Sequence, residues 1–123
     1  MALPTTIGNL KSLKKFYISA NQLINLSDSF GELHNLIDLD LRANMLKLLP
    51  ETFGNLKNLI NLDLSFNKFV NIPNIIGDLS SLQRLNMQLN MSESLCFAVS
   101  LKKIEHWEIF CKPENLAGIY WKS

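Results

Sequence analysis

The chain has 123 residues, 47% of them apolar, which is enough to build the core of one domain. Its 12 basic and 11 acidic residues leave a net charge of +1, and they are interspersed rather than run together. That balance offers no electrostatic footprint for nucleic acid or for an anionic membrane. The opening residues lack a basic segment followed by an apolar run, and no apolar stretch approaches a membrane span, so a cytoplasmic protein is the expectation. Cys96 and Cys111 have neither metal-ligand nor redox spacing and are expected to stay reduced. The sequons at Asn25 and Asn90 are short enough to arise by chance.

From the first residues onward the sequence repeats itself. Residues 3–10 carry Pro4, Gly8 and Leu10, the return half of a unit whose other half does not precede them. A first strand is expected near Phe16 to Ser19. From there Leu13, Leu36, Leu59 and Leu82 stand 23 apart, as do Asn21, Asn44, Asn67 and Asn90. Gly8, Gly31, Gly54 and Gly77 keep the same period, as do Leu10, Leu33, Leu56 and Leu79. Pro4, Pro50 and Pro73 share a further column in which Ser27 is the exception. So many columns at one period predict stacked structural units.

Each column has a physical task. Between the leucine and the asparagine, pairs such as Leu39/Leu41 and Leu62/Leu64 alternate with polar residues, so a short strand points its leucines to one face. One such strand cannot bury them alone, whereas parallel strands stacked about 4.8 Å apart merge them into one core. The asparagine falls where the chain turns inward, with an amide able to bond backbone groups of its own and neighbouring coils. Losing it would orphan buried peptide groups at roughly 1–3 kcal/mol each. In the return segment Leu49 to Leu59, Pro50 suits a first helical position, and Phe53 and Leu56 form an inward face over one or two turns.

The phrase "LPETFGNLKNLINLDLSFNKF" resembles the leucine-rich repeat, and within that class the repeats of Ras-pathway scaffold and plant intracellular Ras-group proteins. Related bacterial repeat proteins share it. Plant extracellular receptors usually carry a glycine before the "IP" of the turn, where this chain has Asn71. The resemblance covers residues 3–90. It implies an α/β solenoid: a right-handed superhelix with parallel strands on the concave face and short helical or 3-10 turns on the convex face. It also implies a protein-interaction module in a scaffold or signalling role, with a small GTPase or signalling protein as partner. The alternative is a ligand-recognition fragment of a larger immune-receptor-like or effector protein whose activity lies in another domain.

After Asn90 the phrase fades. Shifting the register by one residue aligns "LKKIEHWEIFCK" with "LKNLINLDLSFN" and sends Leu101, Ile104, Trp107 and Ile109 into core columns. The expected organisation is a single domain over 1–123: a partial repeat at 1–10, regular repeats at 11–90, a degenerate fifth repeat at 91–112 and a cap at 113–123. The cap is expected as a short turn or helix starting at Pro113. At the other end the first strand has an edge with little to shield it. Such edges invite pairing, so a preceding piece of solenoid, a partner, or self-association with a second copy is expected there.

Polar strand positions fall into columns on the inward-curving face. One holds Lys15, Asp38, Asn61, Arg84 and His106, and the next Tyr17, Asp40, Asp63, Asn86 and Glu108. A third holds Ser19, Arg42, Ser65, Gln88 and Phe110, with Ala20, Ala43, Phe66 and Leu89 beside it. The candidate partner-binding residues are Tyr17, Asp38, Asp40, Arg42, Asp63, Phe66, Arg84, Asn86, Gln88 and Glu108. Rigid strands preorganise such a face, and aromatic and arginine side chains are the usual anchors of interfaces. Polar residues would occupy that surface whatever the function, so only a fraction of them is expected to matter to one partner. No catalytic residue, cofactor or metal ligand set is expected: His34 and His106 lack motif-spaced partners, and the glycines, one per repeat, form no phosphate loop. A weak divalent-ion site at Asp38, Asp40 and Asp63 would lack the loop spacing of an EF-hand.

Overall fold

A computed structural model of the chain describes residues 3–70, 73–87 and 90, together with the backbones of two strands at 106–110 and 119–120. The alternating "LxL" segments form short strands: β1 (Lys15–Tyr17), β2 (Asp38–Asp40), β3 (Asn61–Asp63) and β4 (Arg84–Asn86). β5 (His106–Phe110) and β6 (Ile119–Tyr120) complete one sheet in sequential order. β1 to β5 run parallel and β6 is antiparallel to β5. Lys15 lies opposite Asp38, Asp38 opposite Asn61, and Asn61 opposite Arg84, so the 23-residue period is also the register of the sheet. The next step, Arg84 to His106, spans 22 residues and sets Leu85 opposite Trp107.

The chain returns along the other side in five-residue 3-10 turns at Thr5–Asn9, Asp28–Glu32, Glu51–Asn55 and Asn74–Asp78. The proline column sits one position earlier than expected. Pro4, Pro50 and Pro73 are N-caps with extended ψ, not first helical residues, and each carbonyl accepts the N–H three residues on. Ser27 holds the same place, its hydroxyl bonded to that of Ser29 at 2.7 Å rather than to a backbone N–H. The C-terminus departs from expectation too: Ile119–Tyr120 is a strand paired with Ile109 and Phe110, where a turn or helix was anticipated. The expected starting point of that cap, Pro113, and most of 91–112 lie outside the described residues.

Strand leucines and return-segment apolar residues meet in a single core. Leu36, Leu41, Leu59 and Leu64 are fully buried, and the rings of Phe30 and Phe53 stack between coils at 6.0 Å. The return segments approach one another closely at Gly8, Gly31 and Gly54. A Cβ on Gly31 would lie 2.3 Å from the Thr52 carbonyl oxygen, so only hydrogen fits there.

The asparagine column supplies the internal rungs. Asn44 Oδ1 accepts the N–H of Asn21 and of Leu23, both at 3.0 Å, while its Nδ2 donates to the carbonyls of Ile18, Leu41 and Arg42. Asn67 repeats the pattern with Leu46, Leu41, Leu64 and Ser65. Asn90, half-buried, accepts from Phe69 and donates to Leu64 and Met87. Asn21 differs: it is exposed and, among the described residues, its Nδ2 reaches only the Ser19 carbonyl of its own coil. A second ladder runs along the opposite side, where Asn35 Nδ2 donates to the Lys11 carbonyl at 2.7 Å and Asn58 Nδ2 to that of His34 at 2.8 Å.

Candidate functional site

In the described strands, alternation puts the leucines inward and leaves the intervening side chains on the concave surface. Three columns of polar residues therefore meet across β1 to β4. Tyr17, Asp38, Asp40, Asn61, Asp63, Arg84 and Asn86 line a concavity of about 340 Å³ whose floor is Leu39, Leu62 and Leu85. Seven polar positions from four separate strands thus enclose one apolar-floored depression.

Hydrogen bonds along the columns fix most of these side chains. The Asn61 amide nitrogen donates to Asp38 Oδ1, and its oxygen accepts from the Arg84 guanidinium at 2.9 Å. Asp38 and Arg84, opposite in charge and two strands apart, are thereby held through one amide. Arg42 Nε lies 3.2 Å from Asp40 Oδ1 and 3.9 Å from Asp63 Oδ2, so one guanidinium spans two carboxylates on adjacent strands. The Arg42 side chain is half exposed, and ion pairs in that setting are worth about 0–1 kcal/mol. Their effect is to position the carboxylates rather than to stabilise the fold.

Asp63 has a second duty. Its Oδ1 accepts both the N–H and the hydroxyl of Ser65, at 2.9 and 2.6 Å, and Ser65 is buried. Asp40 makes the equivalent backbone bond to Arg42 N at 3.0 Å. These carboxylates shape the turn that leaves the strand as well as the surface. The turn itself requires left-handed backbone at the next position: Ala20, Ala43 and Phe66 have φ of 58, 56 and 56°. For the bulky Phe66 that conformation costs about 1–2 kcal/mol. Its ring is nevertheless 52% exposed, at the margin of the strand face.

Of the residues expected to bind a partner, Tyr17, Asp38, Asp40, Asp63, Arg84 and Asn86 share the concavity, and Arg42 bridges two of them. Phe66 stands apart from its lining. Gln88 lies outside the described residues, and for Glu108 only the backbone is described, opposite Asn86. Asn61, named in a column but not chosen as a site residue, is the hinge of the Asp38–Arg84 connection. Its signal was its place between an acid and a base at the 23-residue period. Among the described residues, no group of three or more His, Cys, Asp or Glu is arranged to hold a metal ion.

A family model for the leucine-rich repeat region matches residues 2–111. No curated protein matches the sequence. Among solved structures, a leucine-rich-repeat protein of Leptospira interrogans aligns at TM-score 0.73 and 36% identity, over 75% of this chain and 24% of its own. The leucine-rich-repeat ectodomain of the receptor kinase SOBIR1 from Arabidopsis thaliana aligns at 0.68 and 28% identity, over 86% and 61%. InlP of Listeria monocytogenes aligns at 0.66 and 33% identity, over 76% and 26%. The chain thus spans about a quarter of the Leptospira protein and of InlP, and less than two thirds of the SOBIR1 ectodomain structure. With the family model matching residues 2–111, the chain belongs to the leucine-rich-repeat family.

Proposed function

We propose that the concave face grips a protein partner through the depression between Tyr17 and Arg84, in a scaffold or signalling role in the cytoplasm. The observation that carries this reading is the convergence of three carboxylates and an arginine from three neighbouring strands over an apolar floor. The partner surface that fits it presents a basic side chain to Asp38 and Asp40, an acidic one to Arg84, and an apolar residue for the floor. Tyr17, 63% exposed, is the aromatic anchor at one end. A small GTPase or another signalling protein is the partner class that the resemblance to Ras-pathway repeats supports. The chemistry needs no cofactor: charge pairing sets orientation and encounter rate, and burial of Tyr17 and the floor supplies affinity.

The test is paired affinity capture with the wild-type chain and two concave variants, Asp40→Lys and Arg84→Glu, beside the convex control Lys57→Glu. Partners retained by wild type and Lys57→Glu but lost by both concave variants support the proposal. Partners retained by all four proteins would remove it.

A second reading is the recognition segment of a larger receptor-like or effector protein. It is favoured by the quarter of the Leptospira protein and of InlP that the chain spans. Its partner would bind the same face, and the activity would reside elsewhere.

A further inference from the structure

The two flanks of the coils differ. Between the strand and the proline cap, the chain exposes Ile24, Met45, Leu48, Phe66 and Val70, five of the seven large apolar side chains exposed among the described residues. Leu48 is the most exposed of them, at 72%. The repeat does not ask for leucine there, because the positions one period away on either side are Asn25 and Asn71. Nor does its exposure come from an end of the stack. Its coil is bonded on both sides, by the Met45 N–H to the Leu23 carbonyl and by the Lys68 N–H to that of Leu46.

Beside Leu48 the flank is hollowed. Leu49, Val70, Pro73 and Ile75 wall a groove of about 540 Å³ that Lys47, Leu48 and Glu51 also line. None of its lining residues belongs to the concave depression. The two charges stand four residues apart in the segment Lys47-Leu48-Leu49-Pro50-Glu51, with Pro50 extended between them. Among the described residues, neither has an ion-pair partner. One short segment thus brings an exposed leucine, a cation and an anion to an apolar groove.

We propose that this flank is an interface between two copies of the chain, related by a two-fold axis at Leu49. In such an interface residue i meets j while j meets i, so the surface must complement itself. Residues 47–51 do so. Laid antiparallel on its copy, the segment sets Lys47 against Glu51 of the second copy and Glu51 against the second copy's Lys47. Each Leu48 is then brought to the apolar groove of the other copy. Charge pairing fixes the orientation, and burial of Leu48 and Val70 supplies the affinity. Any other partner would have to bring an acid, an apolar side chain and a base at matching spacing, which this chain already carries. The concave depression stays open, so the dimer presents two of them at once.

The test is sedimentation velocity of the full chain over a concentration series, with Lys47→Glu, Glu51→Lys, the double exchange Lys47→Glu/Glu51→Lys, and Leu48→Asn. Wild type should form a dimer whose population rises with concentration. Each single reversal sets two like-charge pairs into the interface and should weaken it about tenfold or more. An equimolar mixture of the two single variants should dimerise again, and so should the double exchange, because both restore opposite charges. Such recovery also shows that the single variants are folded. Leu48→Asn installs the residue type of its column neighbours and should weaken the dimer without lowering the melting temperature. A wild-type chain that stays monomeric into the millimolar range would overturn the proposal. So would a dimer indifferent to the single reversals or to Leu48→Asn, or a mixture that does not recover.

Discussion

The side-chain amide of Asn67 donates at 2.9 Å to the carbonyl of Leu41, which sits 26 residues earlier in the preceding coil. The same nitrogen serves Leu64 and Ser65 of its own coil, and the oxygen of that amide accepts from Leu46. One buried side chain thus satisfies four backbone groups on two coils. Asparagine alone has donors and an acceptor on so short a stem.

Replacing Asn67 by alanine should therefore cost well over a single hydrogen bond, at least about 3 kcal/mol, because several buried backbone groups lose their partner together. Asn67→Asp should be comparably damaging, since a carboxylate would face three carbonyl oxygens. Asn21→Ala removes only a bond to Ser19 and should cost less than about 1 kcal/mol. Urea unfolding of the three variants orders them directly; a similar cost at Asn21 and Asn67 would contradict the rung as described.

The glycine column should not respond uniformly. Gly31→Ala drives a methyl into the Thr52 carbonyl and should destabilise by about 1–3 kcal/mol. At Gly54 the nearest atom an added Cβ would meet is the Ile75 Cδ1 methyl at 2.8 Å, the far end of a flexible side chain, so Gly54→Ala should cost less than Gly31→Ala. Thermal melts of the pair should rank Gly31→Ala as the less stable variant.

Phe53→Ala removes a wholly buried ring stacked on Phe30 and should cost about 3–5 kcal/mol. Phe53→Leu should recover most of that loss, because the position requires volume in the core more than it requires an aromatic face. Denaturant midpoints at matched slope would separate the two.

On the concave face, stability and binding should come apart. Arg84→Glu alters an exposed side chain bonded to Asn61 and should change stability by no more than about 0.5 kcal/mol while abolishing partner capture. Asp63→Ala should instead cost about 1–2 kcal/mol, because it strips Ser65 of its acceptor. A binding loss at Asp63 is therefore interpretable only beside its unfolding curve, and Asp40 and Arg84 are the cleaner probes.

The period made most of this architecture readable. Columns of leucine, asparagine and glycine at 23 residues dictate the register of β1 to β4, since any slip would turn leucines out to solvent. The concave columns followed from the same register, which is why Asp38, Asp40, Asp63 and Arg84 appear together in space as they do in the alignment. What the period could not convey was the local geometry of each return. A proline can open a turn as its cap or as its first residue with the same φ, and here the extended ψ decides for the cap. The second ladder was less visible because its column reads Ser12, Asn35, Asn58, Ser81 and looks like ordinary surface polarity. The strand at Ile119–Tyr120 carries no period at all, and so gave no signal of its pairing with β5.

Described bonds between side chains and neighbouring coils, of either ladder, join residues 21 to 26 apart in sequence. Excising one complete unit in frame therefore leaves an equivalent partner at each broken position: without residues 45–67, Asn90 would take the place of Asn67, keep its bond from Phe69 and meet the Leu41 carbonyl in place of that of Leu64. A partial excision would break rungs at every seam. In this molecule the unit of inheritance is the whole coil, and length can be gained or lost by duplication or deletion while the asparagine rungs keep their partners.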